Sequence, residues 1–348
     1  MKLTYNCPIP NTFGLAVRAA CLLEYDSAAE LQALLSDARF SSELPLPLLQ
    51  VGGGSNLLFK GNFPGTVLHS RIGFLEEDTP SGDGTIRVRI GSGVVWDRFC
   101  GWAAEKGYWG PENLSSIPGE VGAAPVQNVG AYGREAKDII EAVECLDLQT
   151  CESVVIPAGE CDYGYRHSRF KAEWKGRYIV TAVRFRLWTE PHPELEYGNV
   201  RAALIARFGG DTDLTPVQVR EVITRIRENK LPDPSEIGSA GSFFRNPFIL
   251  PEQFARLSAQ AAREGLGAVP HYLMEDGLVK VPAAWLIEQC GWKGHREGNA
   301  GVYENQPLVL VNATGRALPE EVLTLKDKII SSVQSRFGIL LSPEVEII

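Results

Sequence analysis

The chain has 348 residues, a length that predicts two or three modules rather than one small core. Its composition, 44% hydrophobic and 22% charged, is that of an ordinary folded protein and argues against a mainly disordered chain. The formal net charge of -9 argues against broad binding to nucleic acid or to an acidic membrane, which needs clustered positive charge. Any phosphate-binding site must therefore be local.

The sequence shows no segment that would place it in a membrane. Its first residues lack a basic stretch followed by an apolar run, and no run of about 18 apolar residues occurs. The seven cysteines are scattered and have no CxxC or histidine-partnered spacing, so reduced thiols are expected. We therefore expect a cytoplasmic protein without a metal site.

The first predicted element is a helix over residues 27–39. Ser27 and Glu30 have capping-box spacing, and Leu31 and Leu34 begin one apolar face. Short apolar runs and one alternating run then predict strands, and a helical spacing follows them. These elements are strands at residues 48–51, 57–59, 66–69 and 85–90 and a helix at 95–106.

The next segment, residues 110–133, has no sustained periodicity. It reads GPENLSSIPGEVGAAPVQNVGAYG, with five glycines and three prolines. An irregular stretch of this length inside a compact domain is usually functional rather than a bare connector. Beyond it, two prolines and a glycine at residues 231–238 predict a linker. Periodicity predicts strands at 142–148, 178–187 and 308–312 and helices at 215–230, 251–264, 283–290 and 319–337.

The stretch VGGGSNLLF, residues 51–59, raises the main functional question. A glycine backbone reaches positive φ and lets a ligand approach successive N–H groups, which together bind anions. By itself the GGGSN turn is more often structural, and it has neither the P-loop ending nor GxGxxG spacing. Together with residues 110–133, a second loop rich in small side chains, it favours a dinucleotide with a central pyrophosphate.

Seven short motifs, spread over nearly the whole chain, carry a family resemblance. Three of them are NTFG at residues 11–14, GGGSNLLF at 52–59 and NLSSIPGEVGAAPVQNVGAYG at 113–133. The others are KLPDP at 230–234, AGSFFRNP at 240–247, AAWLIEQCGWKG at 283–294 and the terminal PEVEII. In content and order they resemble the UDP-N-acetylenolpyruvoylglucosamine reductase (MurB) family of the vanillyl-alcohol-oxidase flavoprotein superfamily.

The resemblance implies an α+β fold with a two-part FAD-binding domain of the PCMH type and a smaller α+β substrate-binding domain. The implied bounds are a first FAD-binding subdomain at residues 1–75 and a second at 76–229, with the PCMH-type domain at about 15–190. The substrate-binding domain would span residues 230–340, and a terminal strand, 341–348, would return to the active site.

The resemblance also implies an NADPH-dependent flavoenzyme of bacterial peptidoglycan synthesis. Such enzymes reduce the enolpyruvyl ether of UDP-N-acetylglucosamine-enolpyruvate to UDP-N-acetylmuramate, with non-covalent FAD as cofactor and NADPH as co-substrate. Hydride addition at C3 leaves negative charge at C2 and on the adjacent carboxylate, so the site needs a proton donor and a cationic clamp. A monomer with no nucleic-acid or membrane partner is expected.

Three residues match positions with catalytic roles in the family. Ser242 in AGSFFRNP would donate the proton to C2, although a serine considered alone more often caps a turn or helix. Arg166 in CDYGYRHSRF would hold the substrate carboxylate, with Arg169 as an alternative. Glu344 in SPEVEII would share charge with Arg166, but strand alternation puts Glu346 on the same face, so the sequence does not separate the two glutamates.

The other matched positions would bind substrate and cofactor. Tyr197 implies the subtype whose tyrosine loop closes over the substrate, whereas Tyr303 and His167 replace a histidine and an acidic residue common in the family. The substrate-binding positions are Tyr197, Lys230, Asn246, Lys293 and Gln306. The cofactor-binding positions are Gly52, Gly53, Gly54, Ser55, Asn56, Leu57, Ser115, Ile117, Pro118, Gly119, Gly122, Ala123, Gln127, Asn128, Gly130, Ala131, Tyr132 and Gly133.

Two other functions stay open. One is a flavin oxidase of the same fold; such relatives often attach the flavin through histidine or cysteine, and neither residue type occurs in 52–59 or 113–133. The other is a catalytically silent nucleotide-sugar-binding protein, which would not need Ser242, Arg166 or Glu344.

Overall fold

The computed structural model describes residues 1–78 and 82–348, which divide into two units. Two short amino-terminal segments belong to the same unit as the last third of the chain. Unit 1 comprises Met1–Ile9, Arg18–Gly53 and Phe63–Arg227, and unit 2 comprises Pro10–Val17, Gly54–Asn62 and Glu228–Ile348.

The described residues form helices and strands with the following bounds. The helices are α1 (Ala28–Ser36), α2 (Ala38–Glu43), α3 (Trp96–Glu105), α4 (Ala124–Gln127), α5 (Val200–Phe208), α6 (Pro216–Lys230), α7 (Pro251–Glu264), α8 (Ala283–Gln289) and α9 (Pro319–Phe337). The strands up to residue 135 are β1 (Lys2–Pro8), β2 (Arg18–Tyr25), β3 (Leu48–Gln50), β4 (Leu57–Leu58), β5 (Phe63–Ser70), β6 (Leu75–Glu77), β7 (Thr85–Gly91), β8 (Gly130–Ala131) and β9 (Arg134–Glu135). The later strands are β10 (Ile140–Asp147), β11 (Glu152–Pro157), β12 (Tyr178–Trp188), β13 (Gly238–Ser242), β14 (Phe248–Ile249), β15 (Tyr272–Leu273), β16 (Val279–Lys280), β17 (Arg296–Glu297), β18 (Ala300–Val302), β19 (Val309–Asn312) and β20 (Glu346–Ile347).

Unit 1 contains two large sheets. The first has the order β1-β2-β5-β3, in which β2, β5 and β3 are parallel and β1 is antiparallel. The second has the order β11-β10-β12-β7-β6, and all of its neighbours are antiparallel. Phe99 of α3 stacks on Phe185 of β12 with 4.6 Å between ring centroids, so α3 packs on the second sheet. This helix precedes the irregular loop that follows residue 110.

Unit 2 contains the antiparallel sheet β13-β19-β18-β17 and the smaller sheet β14-β16-β15. The terminal strand β20 pairs in parallel with β4, so the end of the chain lies beside residues just after the glycine turn. Helix α9 buries Val322, Leu325, Ile329 and Val333, which recur at helical spacing on one face. None of the helices in the described part of the chain is both long and apolar enough to cross a membrane.

Most predicted helices and strands are confirmed, but the single helix over residues 27–39 is wrong. Asp37 has an extended backbone that ends α1, and its carboxylate accepts the Arg39 N–H at 2.9 Å, which begins α2. Several elements were not predicted, among them β1, β2, β11, β13, β18 and α5. Strand β4 does not join β3 and β5 in their sheet. It pairs instead with β20, which lies nearly 300 residues later in the sequence.

Gly54 lies where the glycine turn passes into unit 2, and its backbone conformation requires glycine. Its φ is +65°, and a Cβ there would lie 2.3 Å from the Pro10 carbonyl oxygen and 2.8 Å from the Asn11 Cα. Its own carbonyl accepts the Thr12 N–H at 3.2 Å. Both the left-handed backbone and the close approach of another chain segment exclude a side chain here.

We expect Gly54→Ala to lower the free energy of unfolding by at least about 2 kcal/mol. A left-handed backbone costs a non-glycine residue about 1–2 kcal/mol, and the added methyl group also displaces Pro10. The matched control is Gly61→Ala, since a Cβ at Gly61 meets nothing within 4 Å; its expected change is below about 0.5 kcal/mol. Urea titration measures both, and equal losses in the two variants would contradict the prediction.

Candidate active site

The two loops predicted to bind the cofactor contact each other within unit 1. A Cβ on Gly53 would lie 3.4 Å from the Cα of Gly119, and one on Gly52 would lie 3.1 Å from Oε2 of Glu120. Oε1 of Glu120 is 2.9 Å from Nε2 of His69 on β5. The structure therefore brings the end of β3 and the irregular loop together through glycine backbone.

Backbone hydrogen bonds fix the second loop to the start of α3. The Gly119 carbonyl accepts the Trp96 N–H at 3.0 Å, and the Val121 N–H donates to the Val94 carbonyl at 2.9 Å. Gly122 has no room for a side chain, because a Cβ there would lie 2.7 Å from the Cβ of Ser92. The loop thus has a defined shape although it lacks regular secondary structure.

Several backbone donors in these two loops have no acceptor among the residues that the structure describes. The N–H groups of Gly52, Gly53 and Gly119 donate no hydrogen bond to any residue in the described ranges. Adjacent backbone N–H groups of this kind bind anions, and glycine leaves them accessible. These donors fit the pyrophosphate of a dinucleotide such as FAD.

Ser116 in the second loop has a left-handed backbone, with φ of +58°, that α3 and α6 hold in place. Its N–H donates to Oδ1 of Asp97 at 2.5 Å, its hydroxyl is 3.0 Å from that of Thr224, and its carbonyl accepts from Arg227 at 3.3 Å. Asp97 also pairs with Arg220 at 2.6 Å. Burial alone would raise the pKa of Asp97, but hydrogen bonds from Arg220 and Ser116 bring it below the ordinary value.

Tyr132 at the end of the second loop contacts Tyr197, a predicted substrate-binding residue. Their ring centroids are 6.2 Å apart and the rings are nearly perpendicular. Burial raises the pKa of Tyr132, and the neighbouring Arg227 partly offsets this increase. Sequence reasoning missed Arg227, although Arg220, Thr224 and Arg227 recur on one face of α6.

Arg166 also belongs to unit 1 and has an uncommon backbone conformation. Its φ is +55°, and its Nη2 donates to the Gly130 carbonyl at 2.6 Å. Non-glycine residues rarely adopt positive φ, and such strain is concentrated at functional sites. The alternative, Arg169, is exposed and lies over the Trp174 ring, with 5.5 Å between its Cζ and the ring centroid. The geometry therefore favours Arg166 over Arg169.

Unit 2 places Ser242 and Glu344 on neighbouring stretches of chain. Ser242 ends β13, directly after Gly241 with φ of +69° and at a register shift in the pairing with β19. The Glu344 N–H donates to the Phe243 carbonyl at 2.8 Å. Ser242 is thus in a strand rather than at a helix cap, and its half-buried hydroxyl makes no hydrogen bond within the described residues.

The second half of the glycine turn meets the carboxyl terminus in the same unit. Asn56 donates from Nδ2 to the Glu344 carbonyl at 3.4 Å, and the Asn56 carbonyl accepts the Glu346 N–H at 3.0 Å. The Thr12 hydroxyl donates to the Ser239 carbonyl on β13 at 2.7 Å. The two glutamates therefore differ: Glu344 lies beside the end of β13, whereas Glu346 pairs with β4.

Asn246 and Gln306, two predicted substrate-binding residues, are held by backbone groups of unit 2. Oδ1 of Asn246 accepts the Ala283 N–H at 2.9 Å, at the start of α8. Gln306 is only 6% exposed, and its Oε1 accepts the Leu308 N–H at 3.3 Å. Each side chain is thus oriented before any ligand binds.

The two predicted substrate lysines are exposed. Lys230 is the last residue of α6, and Lys293 follows α8. Nζ of Lys293 is 2.9 Å from a carboxylate oxygen of Glu288, so this lysine is already paired.

The remaining predicted cofactor positions lie in or beside the two loops, and the side chains of two of them are bonded to other groups of the protein. The Ser115 hydroxyl donates to the Glu112 carbonyl at 2.7 Å, and Asn128 bonds to Glu135 and Gly164. Any contact of Asn128 with a cofactor must therefore use its backbone. Leu57 lies in β4, Ala123 and Gln127 lie at the ends of short helical turns, Gly130 and Ala131 form β8, and Pro118 and Gly133 are exposed.

Glu112 is a buried carboxyl group that sequence reasoning missed. It is 0% exposed, its Oε2 accepts the Gly110 N–H at 2.5 Å, and its Oε1 has no partner among the described residues. Burial raises its pKa to about 7, although the backbone bonds and Arg134 act in the opposite direction. The adjacent Asn113 donates to the Tyr132 carbonyl at 2.6 Å, so this buried polar group supports the end of the second loop.

Comparison with known proteins identifies both parts of the chain. The family described as "UDP-N-acetylenolpyruvoylglucosamine reductase, C-terminal domain" matches residues 233–348, and "FAD binding domain" matches residues 19–154. The UDP-N-acetylenolpyruvoylglucosamine reductase of Bacteroides fragilis is 46% identical over 348 residues, which is 100% of each chain. The Porphyromonas gingivalis protein of the same name is 44% identical over 340 residues, 97% of this chain and 96% of its own.

One solved structure supports the fold. The crystal structure of the UDP-N-acetylenolpyruvylglucosamine reductase (MurB) from Thermus caldophilus matches with a TM-score of 0.64 and 24% identity, covering 97% of this chain and 95% of its own. At that identity the likeness concerns the fold alone. The predicted α+β fold with an FAD-binding domain is thereby confirmed.

We expect Glu112→Gln to remove a pH-dependent loss of stability. Because burial raises the pKa from its ordinary value of 4.5 to about 7, the folded protein retains this proton more tightly than the unfolded chain does. The wild type therefore loses stability as pH rises from about 4.5 to about 7, by on the order of 3 kcal/mol, and no further above that range. Urea titrations from pH 4 to 8 should show the variant gaining stability relative to wild type across this window; a constant difference would contradict the prediction.

Proposed function

The chain belongs to the UDP-N-acetylenolpyruvoylglucosamine reductase family, and we propose that it catalyses the reaction for which that family is named. The substrate is UDP-N-acetylglucosamine-enolpyruvate, and the product is UDP-N-acetylmuramate, a precursor of bacterial peptidoglycan. FAD is the cofactor and NADPH the co-substrate. Similarity over the full length of a named relative carries the proposal, because it includes both the FAD-binding and the carboxyl-terminal parts.

FAD, when bound, supplies the hydride that reaches C3 of the substrate. The N–H groups of Gly52, Gly53 and Gly119 would bind its pyrophosphate, since these donors have no acceptor in the described part of the protein. Neither loop contains histidine or cysteine, which supports non-covalent binding. The lack of side chains lets the backbone approach the cofactor closely.

Ser242 would hold the proton that C2 receives. Its hydroxyl is half-buried and makes no hydrogen bond to the residues described, so it is available to a ligand. Serine is a weak acid, but negative charge at C2 of the reduced substrate is basic enough to take a proton from a well-placed hydroxyl.

Arg166 would bind the substrate carboxylate. Glu344 would share the negative charge of the reacting group with Arg166 in a proton-linked network. A planar guanidinium holds a carboxylate through two parallel hydrogen bonds, and the bond from Arg166 to Gly130 orients that plane. The backbone bond of Glu344 to Phe243 places this glutamate beside the segment that carries Ser242. This position supports Glu344 rather than Glu346 as the functional residue.

The UDP part of the substrate would be bound by polar residues of several elements. Lys230 offers an exposed positive charge suited to phosphate, and Asn246 and Gln306 offer pre-oriented amide groups. Lys293 would contribute near the nucleotide. Tyr197 is 45% exposed and would close over the substrate, as in the tyrosine-loop subtype. A monomeric state and a cytoplasmic location stay predictions.

The test of this function is an NADPH oxidation assay with purified protein. We expect a yellow protein that oxidises NADPH rapidly only when UDP-N-acetylglucosamine-enolpyruvate is present, because the reduced flavin passes its hydride to that substrate. Acid precipitation should release free FAD into the supernatant. A colourless protein, or oxidation of NADPH that ignores the sugar nucleotide, would contradict the proposal; oxygen-dependent turnover would favour an oxidase.

We expect Ser242→Ala to slow substrate reduction by about 100- to 10,000-fold, the usual contribution of a general acid. Flavin reduction by NADPH should proceed as in wild type, because that half-reaction does not use the hydroxyl. Ser239→Ala, on the same strand, is the matched control and should keep full turnover. Stopped-flow absorbance separates the half-reactions; an equal loss in both would show that Ser242 is not the proton donor.

A further inference from the structure

A histidine of β5 and a glutamate of the second loop form a contact beside the glycines that would bind the FAD pyrophosphate. The side chains of His69 and Glu120 are 14% and 12% exposed, and Nε2 and Oε1 are 2.9 Å apart. Nδ1 of His69 is 3.9 Å from a carboxylate oxygen of Glu24. The imidazole therefore lies between two carboxylates.

The carboxylate of Glu120 lies beside the first loop. Its Oε2 is 3.1 Å from the position of a Cβ on Gly52, and Gly119, the residue before it, approaches Gly53. The Glu120 side chain is only 12% exposed, so little water surrounds its carboxylate. A carboxylate so close to donors intended for a pyrophosphate would repel the anion, and the repulsion is weakly screened where water is scarce.

The positively charged side chains near this cluster pair with Glu24 rather than with Glu120. Glu24 is 3.7 Å from Arg71 and 3.8 Å from the ammonium group of Lys2. Among the described residues, the ion pairs of Glu120 involve His69 alone. Removal of His69 would therefore leave Glu120 without an ion-pair or hydrogen-bonding side chain among the described residues, whereas Glu24 would keep Arg71 and Lys2.

We propose that His69 is a positioning residue for FAD: through its hydrogen bond to Glu120 it keeps that carboxylate from repelling a pyrophosphate at Gly52 and Gly53. The inference rests on the proposed function, in which these glycines bind the pyrophosphate. Neither His69 nor Glu120 belongs to the motif positions assigned to the cofactor. An effect of the Glu120 charge can be distinguished from an effect on the shape of the second loop, because glutamine at position 120 keeps the shape of glutamate without its charge.

The test compares FAD affinity among apoproteins of the wild type, His69→Ala, Glu120→Gln and the double variant. Quenching of flavin fluorescence gives the dissociation constant, and thermal unfolding of each apoprotein reports folding separately. We expect His69→Ala to weaken FAD binding by at least about tenfold, because an unpaired carboxylate then faces the anion. Glu120→Gln alone, and the double variant, should bind FAD within about threefold of wild type.

His295→Ala is the matched control, since it removes a histidine that pairs with Glu297 at 3.3 Å in unit 2. It should leave the FAD dissociation constant unchanged. If His69→Ala does not fold, His69→Gln with and without Glu120→Gln provides the same comparison with a smaller structural change.

Each outcome bears on a different statement. If Glu120→Gln restores FAD binding in the His69→Ala background, the result supports repulsion by the Glu120 charge as the cause of the weakened binding. Equal weakening in the single and double variants, or wild-type affinity in His69→Ala, overturns the inference. If wild-type apoprotein itself does not bind FAD, the proposed function fails instead.

Discussion

The close approach of two glycine backbones, Gly53 and Gly119, is the contact on which the proposed cofactor site depends. Side chains at Gly53 and its neighbour Gly52 would press against the second loop. Without them, N–H groups from two separate parts of the chain lie close together with no acceptor in the described protein. Such an arrangement is well suited to an anion. The glycines thus allow the close packing and, in the proposed function, also provide the donors for the cofactor.

The second loop can keep this shape because buried polar groups surround it. Its left-handed residue Ser116 bonds to Asp97, Thr224 and Arg227. At its beginning, Glu112 is fully buried, and one carboxylate oxygen has no partner in the described residues. A loop without regular secondary structure must satisfy its backbone groups through side chains, so helices α3 and α6 contribute polar residues where an ordinary core would have apolar ones.

The connectivity of the chain explains why one short turn contributes to two candidate sites. Residues up to Gly53 belong to unit 1, whereas Gly54–Asn62 belong to unit 2 and pair with the carboxyl-terminal strand. Asn56 bonds to the backbone of Glu344, a predicted catalytic residue. One stretch of sequence therefore provides a candidate cofactor loop and also supports a candidate catalytic segment. Glycine permits the sharp change of direction that this requires.

The sequence by itself determined many of the longer helices and strands, the FAD-binding character and the family, since periodicity, turn residues and motifs are local signals. Even there, the helix over residues 27–39 is broken at Asp37, whose side chain forms a new cap. Only the tertiary structure decided which distant residues meet. Glu120 meets His69 across 51 positions, and Asn56 meets Glu344 across 288. No local pattern encodes such pairs, because they depend on how strands and loops pack after the chain has folded.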